Sequence, residues 1–325
     1  MATDWMGERV ARLVAKRAAA LGDLSQGAVE ELTRSVREDP DAFVDDDEER
    51  AFALLVRAQT TLAQGRAEDE FLSDDQYAAA LEDRLARLRA TAEQALELDP
   101  SSPDAALLGI LCTAADEVDT MLELRALDER LTAENPGALG GSGDRWEQPF
   151  ARPLLRVKAA LARSAFGAAS FSEARDVSLA LLDLMPGDPL GLRFTAAMAL
   201  ARLEDEKGFD DLDVRFERHG NAWSNLARSL MLFKLDRLPA ARRALNGYLR
   251  LNEGAAYALL RPVYIEPYLP DRPDAEPGSY WEAALAVHEA DPIIVDAPDF
   301  IDWCSDQPGV LEQASTFAAA NGFEW

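Results

Sequence analysis

Several chemically distinctive residue types are scarce in this sequence of 325 residues. It contains two cysteines, Cys112 and Cys304, two histidines and four lysines. Cysteines this far apart form neither a close-spaced metal or redox motif nor a disulfide framework. No apolar run approaches the roughly 18 residues that a membrane span needs, and residues 1–24 lack the uninterrupted apolar core of a secretory signal. We therefore expect a cytoplasmic protein that does not cross a membrane.

Motifs that hold metals or phosphates are also missing. His219 and His288 do not belong to an HExxH pattern, and there is no GxxxxGK sequence. The acidic run at residues 45–49 lacks the alternating oxygen ligands and central glycine of a calcium-binding loop. The glycines at residues 137–143 neither follow a strand nor open an obvious helix, so we interpret them as a flexible connector. No metal and no cofactor is expected.

Acidic residues outnumber basic residues by 59 to 33, which gives a formal charge of −26. Such a charge repels phosphate backbones and anionic lipid surfaces at long range, so neither nucleic acid nor a membrane is an expected partner. The hydrophobic content of 48% is that of a folded chain. The charge is uneven, because residues 273–325 contain 11 acidic residues and no lysine or arginine.

Apolar residues recur every three or four positions along most of the chain, and the alternation typical of half-buried strands is nearly absent. This pattern predicts an all-helical fold. Local signals mark some helix ends. Ser73 followed by Gln76 predicts a capping box at a helix start, and Pro100 ends that helix. Ser102 and Pro103 predict the start of the next helix, because proline at the first helical position loses no hydrogen bond.

The spacing of helix ends and small residues indicates an internal repeat. Helices are predicted to end at Pro100, Pro136 and Pro186, of which the first two are 36 residues apart. Ala174 and Ala241 are 67 residues apart, which fits two steps of about 34 residues. A repeat of this length is typical of arrays of helical hairpins.

Two segments carry a resemblance to a known superfamily, ALARSAFGAASFSEARDVSLALLDLMP and WSNLARSLMLFKLDRLPAARRALNGYL. Over residues 85–253 the chain resembles the tetratricopeptide-repeat superfamily, in which two antiparallel helices form each unit. Trp223, Leu226 and Ala227 match the motif well, whereas the unit at 187–220 is degenerate. The resemblance implies a right-handed α-solenoid.

A second resemblance lies in the middle of the chain, in the runs RPLLRVKAALA, PGDPLGLRF and NAWSNLARSLMLFKL. These runs look like segments of bacterial repeat proteins related to the family called suppression of tumorigenicity seven. That family has no activity that transfers to this chain residue by residue.

The expected organisation has three parts. Residues 1–84 form an N-terminal helical region, and residues 85–253 form the repeat array, which a glycine-rich loop interrupts at 136–149. Residues 254–325 form an acidic C-terminal segment with five prolines within sixteen residues, which predicts an extended stretch. Two short helices are predicted to follow it, over residues 280–289 and 308–320.

Repeat geometry predicts which side chains share a concave groove, because the first helix of each unit lines it. Counting from Trp223 places five side chains on that surface: Asn221, Ser224, Asn225, Arg228 and Met231. The same count in the unit at 155–186 exposes Arg156, Ala159, Ala160, Arg163 and Phe166, and the degenerate unit adds Arg193 and Phe194. The candidate peptide-binding residues are Arg156, Arg163, Phe166, Arg193, Asn221, Asn225 and Arg228.

Arginines in a groove suit a partner with carboxylates, because the guanidinium fork binds a carboxylate through two parallel hydrogen bonds. Two other interpretations stay open. The arginines could be ordinary surface residues paired with neighbouring acids, or the acidic C-terminal segment could itself occupy the groove.

The sequence therefore predicts a non-enzymatic scaffold that binds a protein or peptide, with carboxylate or acidic character where the partner meets the groove. Two alternatives come from other classes. One is an enzyme or enzyme subunit that uses Glu289, Asp291 and Asp299 near His288, which requires a deep acidic pocket there. The other is a purely structural assembly subunit.

Overall fold

The computed structural model describes residues 3–68, 72–114 and 116–325 of the chain. These residues form α-helices, short 3-10 helices and connecting loops, with no β-strand among them. The all-helical prediction is therefore confirmed. The chain divides into two compact units, an N-terminal unit of residues 3–160 with Leu269–Asp271, and a C-terminal unit of Leu161–Tyr268 with Arg272–Trp325.

The N-terminal unit contains six complete helices and the beginning of a seventh. They are α1 (Trp5–Leu21), α2 (Gln26–Glu38), α3 (Asp47–Glu68), α4 (Asp74–Leu98), α5 (Pro103–Thr113), α6 (Glu117–Glu134) and the first part of α7 (Arg152–Gly167). Consecutive helices from α3 to α6 pack against each other, as do α1 and α2. An apolar cluster joins α3, α4 and α5, and it includes Leu55, Leu88, Leu108 and Leu269.

The predicted helix ends in this unit are confirmed. Gln76 Oε1 accepts hydrogen bonds from the backbone N–H and the hydroxyl of Ser73, at 3.0 and 3.1 Å. Helix α4 ends at Leu98, two residues before Pro100, and α5 begins at Pro103 with Ser102 as its N-cap. Local side-chain chemistry alone places these boundaries.

The C-terminal unit contains the rest of α7 and nine further helices. They are α8 (Phe171–Leu184), α9 (Leu192–Arg202), α10 (Glu206–Arg215), α11 (Ala222–Lys234), α12 (Leu238–Leu251), α13 (Ala255–Leu260), α14 (Tyr280–Ile294), α15 (Phe300–Ser305) and α16 (Val310–Asn321). Helix α9 packs against α8, α10 and α11, and α11 packs against α12. This is the contact pattern of stacked helical hairpins.

The unit boundary falls inside α7, between Ala160 and Leu161. The predicted limits of the repeat array, at residues 85 and 253, are a separate division and stay a prediction. Glycines, prolines and changes of composition mark loops in a sequence. The observed division depends instead on which helices contact each other, and a continuous helix carries no local signal of that division.

Three helix–helix turns share one backbone geometry. Ala169, Glu204 and Asp236 have φ values of 60°, 58° and 55°, and each lies two residues before the next helix. In each turn the following residue donates its N–H to a carbonyl five positions back; the donors are Ser170, Asp205 and Arg237, at 2.7, 3.0 and 2.8 Å. This is the Schellman arrangement. The second helices accordingly begin 35 and 32 residues apart.

We expect Ala169→Gly to stabilise the C-terminal unit. Alanine in the left-handed region strains its Cβ, and glycine relieves that strain at a smaller cost in chain entropy, so the net gain is about 0.5–1 kcal/mol. Denaturant unfolding measures it. The control is Ala168→Gly, one residue earlier, where φ is not positive; this variant is expected to lose stability. A loss in Ala169→Gly as well would contradict the strain argument.

The chain between α13 and α14 contains no helix, and the two C-terminal helices are present with corrected bounds. Helix α14 runs to Ile294 rather than ending at residue 289, because Pro292 lies in its last turn and removes only one helical hydrogen bond. Helix α16 spans Val310–Asn321. Helix α15 was not predicted, since six residues are too few for a periodic signal.

Candidate functional site

The C-terminal segment covers the helices that the repeat count assigned to a groove. Helix α14 packs against both α9 and α11. Beside these contacts lies a buried ion pair between Arg272, which precedes α14 in the chain, and Glu289 of α14. Arg272 Nε donates to Glu289 Oε1 at 2.6 Å, and Nη2 donates to Oε2 at 3.0 Å. Trp223 of α11 donates its indole N–H to the same carboxylate, at 3.0 Å.

Glu289 is held as a carboxylate by four donors. Besides Arg272 and Trp223, the Tyr268 hydroxyl donates to Oε1 at 2.6 Å. Burial alone would raise the pKa of Glu289, but the charge of Arg272 and the hydrogen bonds from Arg272 and Tyr268 outweigh it and lower the pKa. Burial also raises the pKa of Tyr268 well above its ordinary value, so this hydroxyl stays a donor. The enzyme alternative requires Glu289 as a reactive acid or base, but four donors already occupy this carboxylate.

An aromatic stack lies beside this ion pair. The rings of Phe194 and Trp223 are 4.2 Å apart at an interplanar angle of 18°. The Arg272 guanidinium lies 5.1 Å from the first ring and 5.7 Å from the second, within cation–π range. Arg193 lies 4.8 Å from the Phe194 ring, and Arg163 lies 5.8 Å from the Tyr268 ring. Two of the predicted groove arginines, Arg163 and Arg193, thus lie at a surface that the C-terminal segment of the chain already contacts.

The expected exposure of Arg156 and Phe166 is wrong. Arg156 is 1% exposed and Phe166 is 6% exposed. The Arg156 guanidinium lies between two carboxylates, with Nη1 2.7 Å from Glu8 Oε2 and Nε 2.7 Å from Asp104 Oδ1. Phe166 packs edge-on against Phe171, 5.3 Å between ring centroids. Both side chains are core residues, because α1, α5 and α8 cover the faces that the repeat count left open.

The predicted residues on α11 have local structural roles. Asn221 is the N-cap, and its Oδ1 accepts from the Ser224 backbone N–H at 2.9 Å. The amide of Asn225 donates to the Asn221 carbonyl at 3.2 Å. It packs so closely on α12 that a Cβ at Gly247 would lie 2.8 Å from Asn225 Oδ1. An asparagine followed three residues later by a serine could have identified this cap from sequence.

Arg228 lies in a small charged cavity of about 440 Å³ between α10, α11 and α12. Its Nη2 is 2.9 Å from Asp210 Oδ1 and 2.6 Å from Asp213 Oδ2. Arg237, also on this cavity, pairs with Glu206. The carboxylates neutralise both arginines, so an incoming carboxylate would have to displace them.

An open groove that the sequence did not predict lies in the N-terminal unit. It measures about 580 Å³ and runs along α5, between α4 and α6. The floor is made by α5 side chains, and it includes Ala106, Gly109, Ile110 and Thr113. Ala92 and Leu96 of α4 and Ala126 and Leu127 of α6 form apolar walls, and charges stand on both sides, with Arg89 and Glu93 on α4 and Glu123 and Arg130 on α6.

The spacing of small residues on α5 was the available signal for this groove. Ala106, Gly109 and Thr113 recur at three and four positions on one helical face. A Cβ at Gly109 would meet no atom within 4 Å, so the groove is open above it.

The residues of the enzyme alternative do not converge. His288, Asp291 and Asp299 are exposed, and none of them lines either cavity described above. Burial raises the pKa of Cys112 to about 11 and also raises the pKa of Cys304. Both thiols are therefore protonated at neutral pH and poorly nucleophilic.

Three acidic side chains lie close enough to hold a cation. Oxygens of Asp46, Glu48 and Glu49 are within 4.8 Å of one another. Lys16 Nζ already lies 2.9 Å from Asp46 and 2.6 Å from Glu48, and Arg12 Nη2 lies 2.9 Å from Glu49. The two cations between them pair with all three carboxylates, in an ion-pair network that joins α1 to the start of α3.

Comparisons with family models, with curated proteins and with solved structures find no match to this chain. In the described residues the fold and site thus define an all-helical protein of consecutively packed helices, with one repeat-assigned face covered by α14 and an open apolar groove along α5. None of the helices in the described ranges is both long and apolar enough to cross a membrane.

Proposed function

We propose that this chain is a non-enzymatic, cytoplasmic scaffold that binds a short amphipathic segment of a partner protein in the α4–α6 groove. The observation that carries the proposal is the groove itself, an apolar floor between two helices that no described segment of the N-terminal unit fills. Grooves of this kind accept the apolar face of a helix through side chains spaced three and four residues apart.

The floor of the groove favours a closely approaching backbone. Gly109 carries no side chain and Ala106 carries only a methyl group, so a bound helix can sit near the α5 backbone. Arg89, Glu93 and Glu123 on the walls form no ion pair among the described residues. The segment bound there is expected to bury apolar side chains centrally and to place charges of both signs at its edges.

We also propose that the hairpins of each unit stack as a right-handed solenoid of tetratricopeptide-like units. The shared turns at Ala169, Glu204 and Asp236 support this, because they repeat at nearly the spacing of that superfamily. In this proposal the arginine-lined face of α9 and α11 binds a partner only after α14 is displaced. The α4–α6 groove needs no such displacement.

Blocking the groove tests the function. Gly109→Trp places an indole on the groove floor, while replacing glycine inside a helix favours the helix by up to about 1 kcal/mol. A displayed library of amphipathic peptides is selected on the wild-type protein, and affinities of the selected peptides are measured by fluorescence anisotropy. We expect Gly109→Trp to weaken binding at least about tenfold, the effect of losing 1.4 kcal/mol of contact.

Two matched variants separate blocking from other effects. Gly109→Ala makes the same helix more stable but leaves the groove open, so it should bind as wild type does. Gly27→Trp adds an indole to α2, where a Cβ also meets no atom within 4 Å, and should bind normally. Selected peptides that bind Gly109→Trp as tightly as wild type would overturn the assignment of this groove.

A further inference from the structure

Arg145 is a buried cation without a partner among the described residues. Six arginines are buried in the described part of the chain, and Arg145 is 4% exposed. Four of the others have a carboxylate within 2.7 Å, and Arg84 also has a partner. The Arg145 side chain forms no hydrogen bond or ion pair with the described residues, and its Nη2 atom is fully buried.

This contrast is significant because an arginine cannot lose its charge. The guanidinium stays protonated in proteins, unlike a buried lysine or histidine, which becomes neutral instead. A buried charge without a counter-charge is strongly destabilising. No carboxylate of the described residues pairs with Arg145, which leaves this guanidinium open to an anion from outside the chain.

The glycine-rich loop lies directly against this guanidinium. A Cβ on Gly141 would come within 2.9 Å of Arg145 Nη2 and 3.4 Å of Nη1, so the loop backbone lies close to the guanidinium. Gly141 and Gly143 have φ values of 99° and 92°, which favour glycine. Asp144 is occupied locally, since it accepts from the Trp146 backbone N–H at 2.8 Å.

Unused backbone donors lie next to the buried cation. The N–H groups of Gly141, Ser142 and Gly143 form no hydrogen bond within the described structure. Backbone N–H groups of successive residues beside a positive charge are a common source of hydrogen bonds to oxyanions. Three backbone donors and the arginine fork supply more hydrogen bonds than a planar carboxylate with two oxygens accepts, and they suit the tetrahedral oxygens of a phosphate.

We propose that Arg145 and the loop Gly141–Gly143 bind a phosphate group, either as inorganic phosphate or as the phosphate of a small monoester. The anion neutralises the guanidinium and accepts hydrogen bonds from the loop. The glycines, interpreted from sequence as a connector, provide the close backbone approach that such a site requires.

Calorimetric titration tests the site with sodium phosphate, glycerol phosphate and sodium acetate at constant ionic strength. We expect wild type to bind phosphate, and Arg145→Met to weaken that binding by about 10- to 100-fold, the effect of losing charge-assisted hydrogen bonds. Arg34→Met removes the same charge from an exposed position on α2 and should leave binding unchanged. Glycerol phosphate binding as tightly as phosphate identifies a monoester; inorganic phosphate alone identifies the free ion.

Thermal unfolding in phosphate-free buffer distinguishes the site from simple packing. There, Arg145→Met should be at least as stable as wild type, because it removes an uncompensated buried charge. Phosphate should raise the Tm of wild type and of Arg34→Met, but not of Arg145→Met. The proposal is overturned if phosphate produces neither heat nor a Tm shift in wild type, if Arg145→Met retains phosphate binding, or if acetate binds as tightly as phosphate.

Discussion

Replacing Arg156 with methionine is expected to destabilise the N-terminal unit by about 3–5 kcal/mol, the usual effect of removing one partner from a buried ion pair. Arg156 joins Glu8 of α1 to Asp104 of α5 through four hydrogen bonds of 2.6–2.9 Å. Its guanidinium also lies 4.4 Å from the Trp5 ring. Without it, two carboxylates remain buried with no cation of comparable contact.

Denaturant unfolding, followed by tryptophan fluorescence, measures this loss. The triple variant Arg156→Met, Glu8→Gln, Asp104→Asn removes all three charges and should recover part of the stability, because no buried charge is left unpaired. Arg34→Met serves as the surface control and should change the free energy of unfolding by less than about 0.5 kcal/mol. A loss below about 1 kcal/mol in Arg156→Met would show that the network contributes little.

Replacing Arg272 with methionine should release α14 from α9 and α11 and destabilise the C-terminal unit by about 3 kcal/mol or more. Besides its two bonds to Glu289, Arg272 donates to the Gly191 carbonyl at 3.0 Å. Loss of the guanidinium leaves a buried carboxylate and removes the cation between Tyr268 and the Phe194 ring. Hydrogen exchange over residues 280–294 should therefore accelerate in the variant.

The pH dependence of stability provides an independent measurement on the same pair. Because the pKa of Glu289 is lower in the folded state than in the unfolded state, its contribution is fully present above the unfolded pKa. That contribution is lost as the pH falls through the folded pKa. Glu289→Gln should remove this acid-dependent part and flatten the stability profile below about pH 4.5. Asp291→Asn, exposed on the same helix, is the control and should keep the wild-type profile.

The results for Arg272→Met bear on function as well as on stability. If Arg272→Met exposes the α9–α11 face while the C-terminal unit stays folded, that face becomes available for binding assays with carboxylate-bearing peptides. Unchanged hydrogen exchange in α14 would mean that the apolar contacts of this helix hold it without the ion pair. The ion pair between Arg272 and Glu289 would then have no role in covering the α9–α11 face.

Local chemistry predicted several parts of this fold correctly. The Ser73–Gln76 interaction and the start of α5 at Pro103 depend only on residues within four positions of each other. The small residues Ala174 and Ala241 also lie where a repeat predicts, each fully buried as the fourth residue of a second helix. The sequence does not indicate the repeated turns, because alanine, glutamate and aspartate occupy the positions where glycine is the usual signal of such a turn.

The arginines show where sequence reasoning fails. In the sequence, Arg156 and Arg228 are both polar residues on a helical face. In the structure, Arg156 is 1% exposed, whereas Arg228 is partly exposed between two aspartates. The partners of Arg156 lie 52 and 148 residues away in the chain. No helical period contains that information, since it depends on which helix covers which face.

The sequence by itself determined the all-helical class, several helix ends and the charge that opposes polyanionic partners. Each of these follows from neighbouring residues or from a sum over the chain. The tertiary structure alone decided which arginines are buried, that Glu289 meets Arg272 and Trp223, and that Arg145 pairs with no carboxylate of the described residues. Burial and ion pairing depend on distance in space and on exclusion of water, and residues far apart in the chain set both.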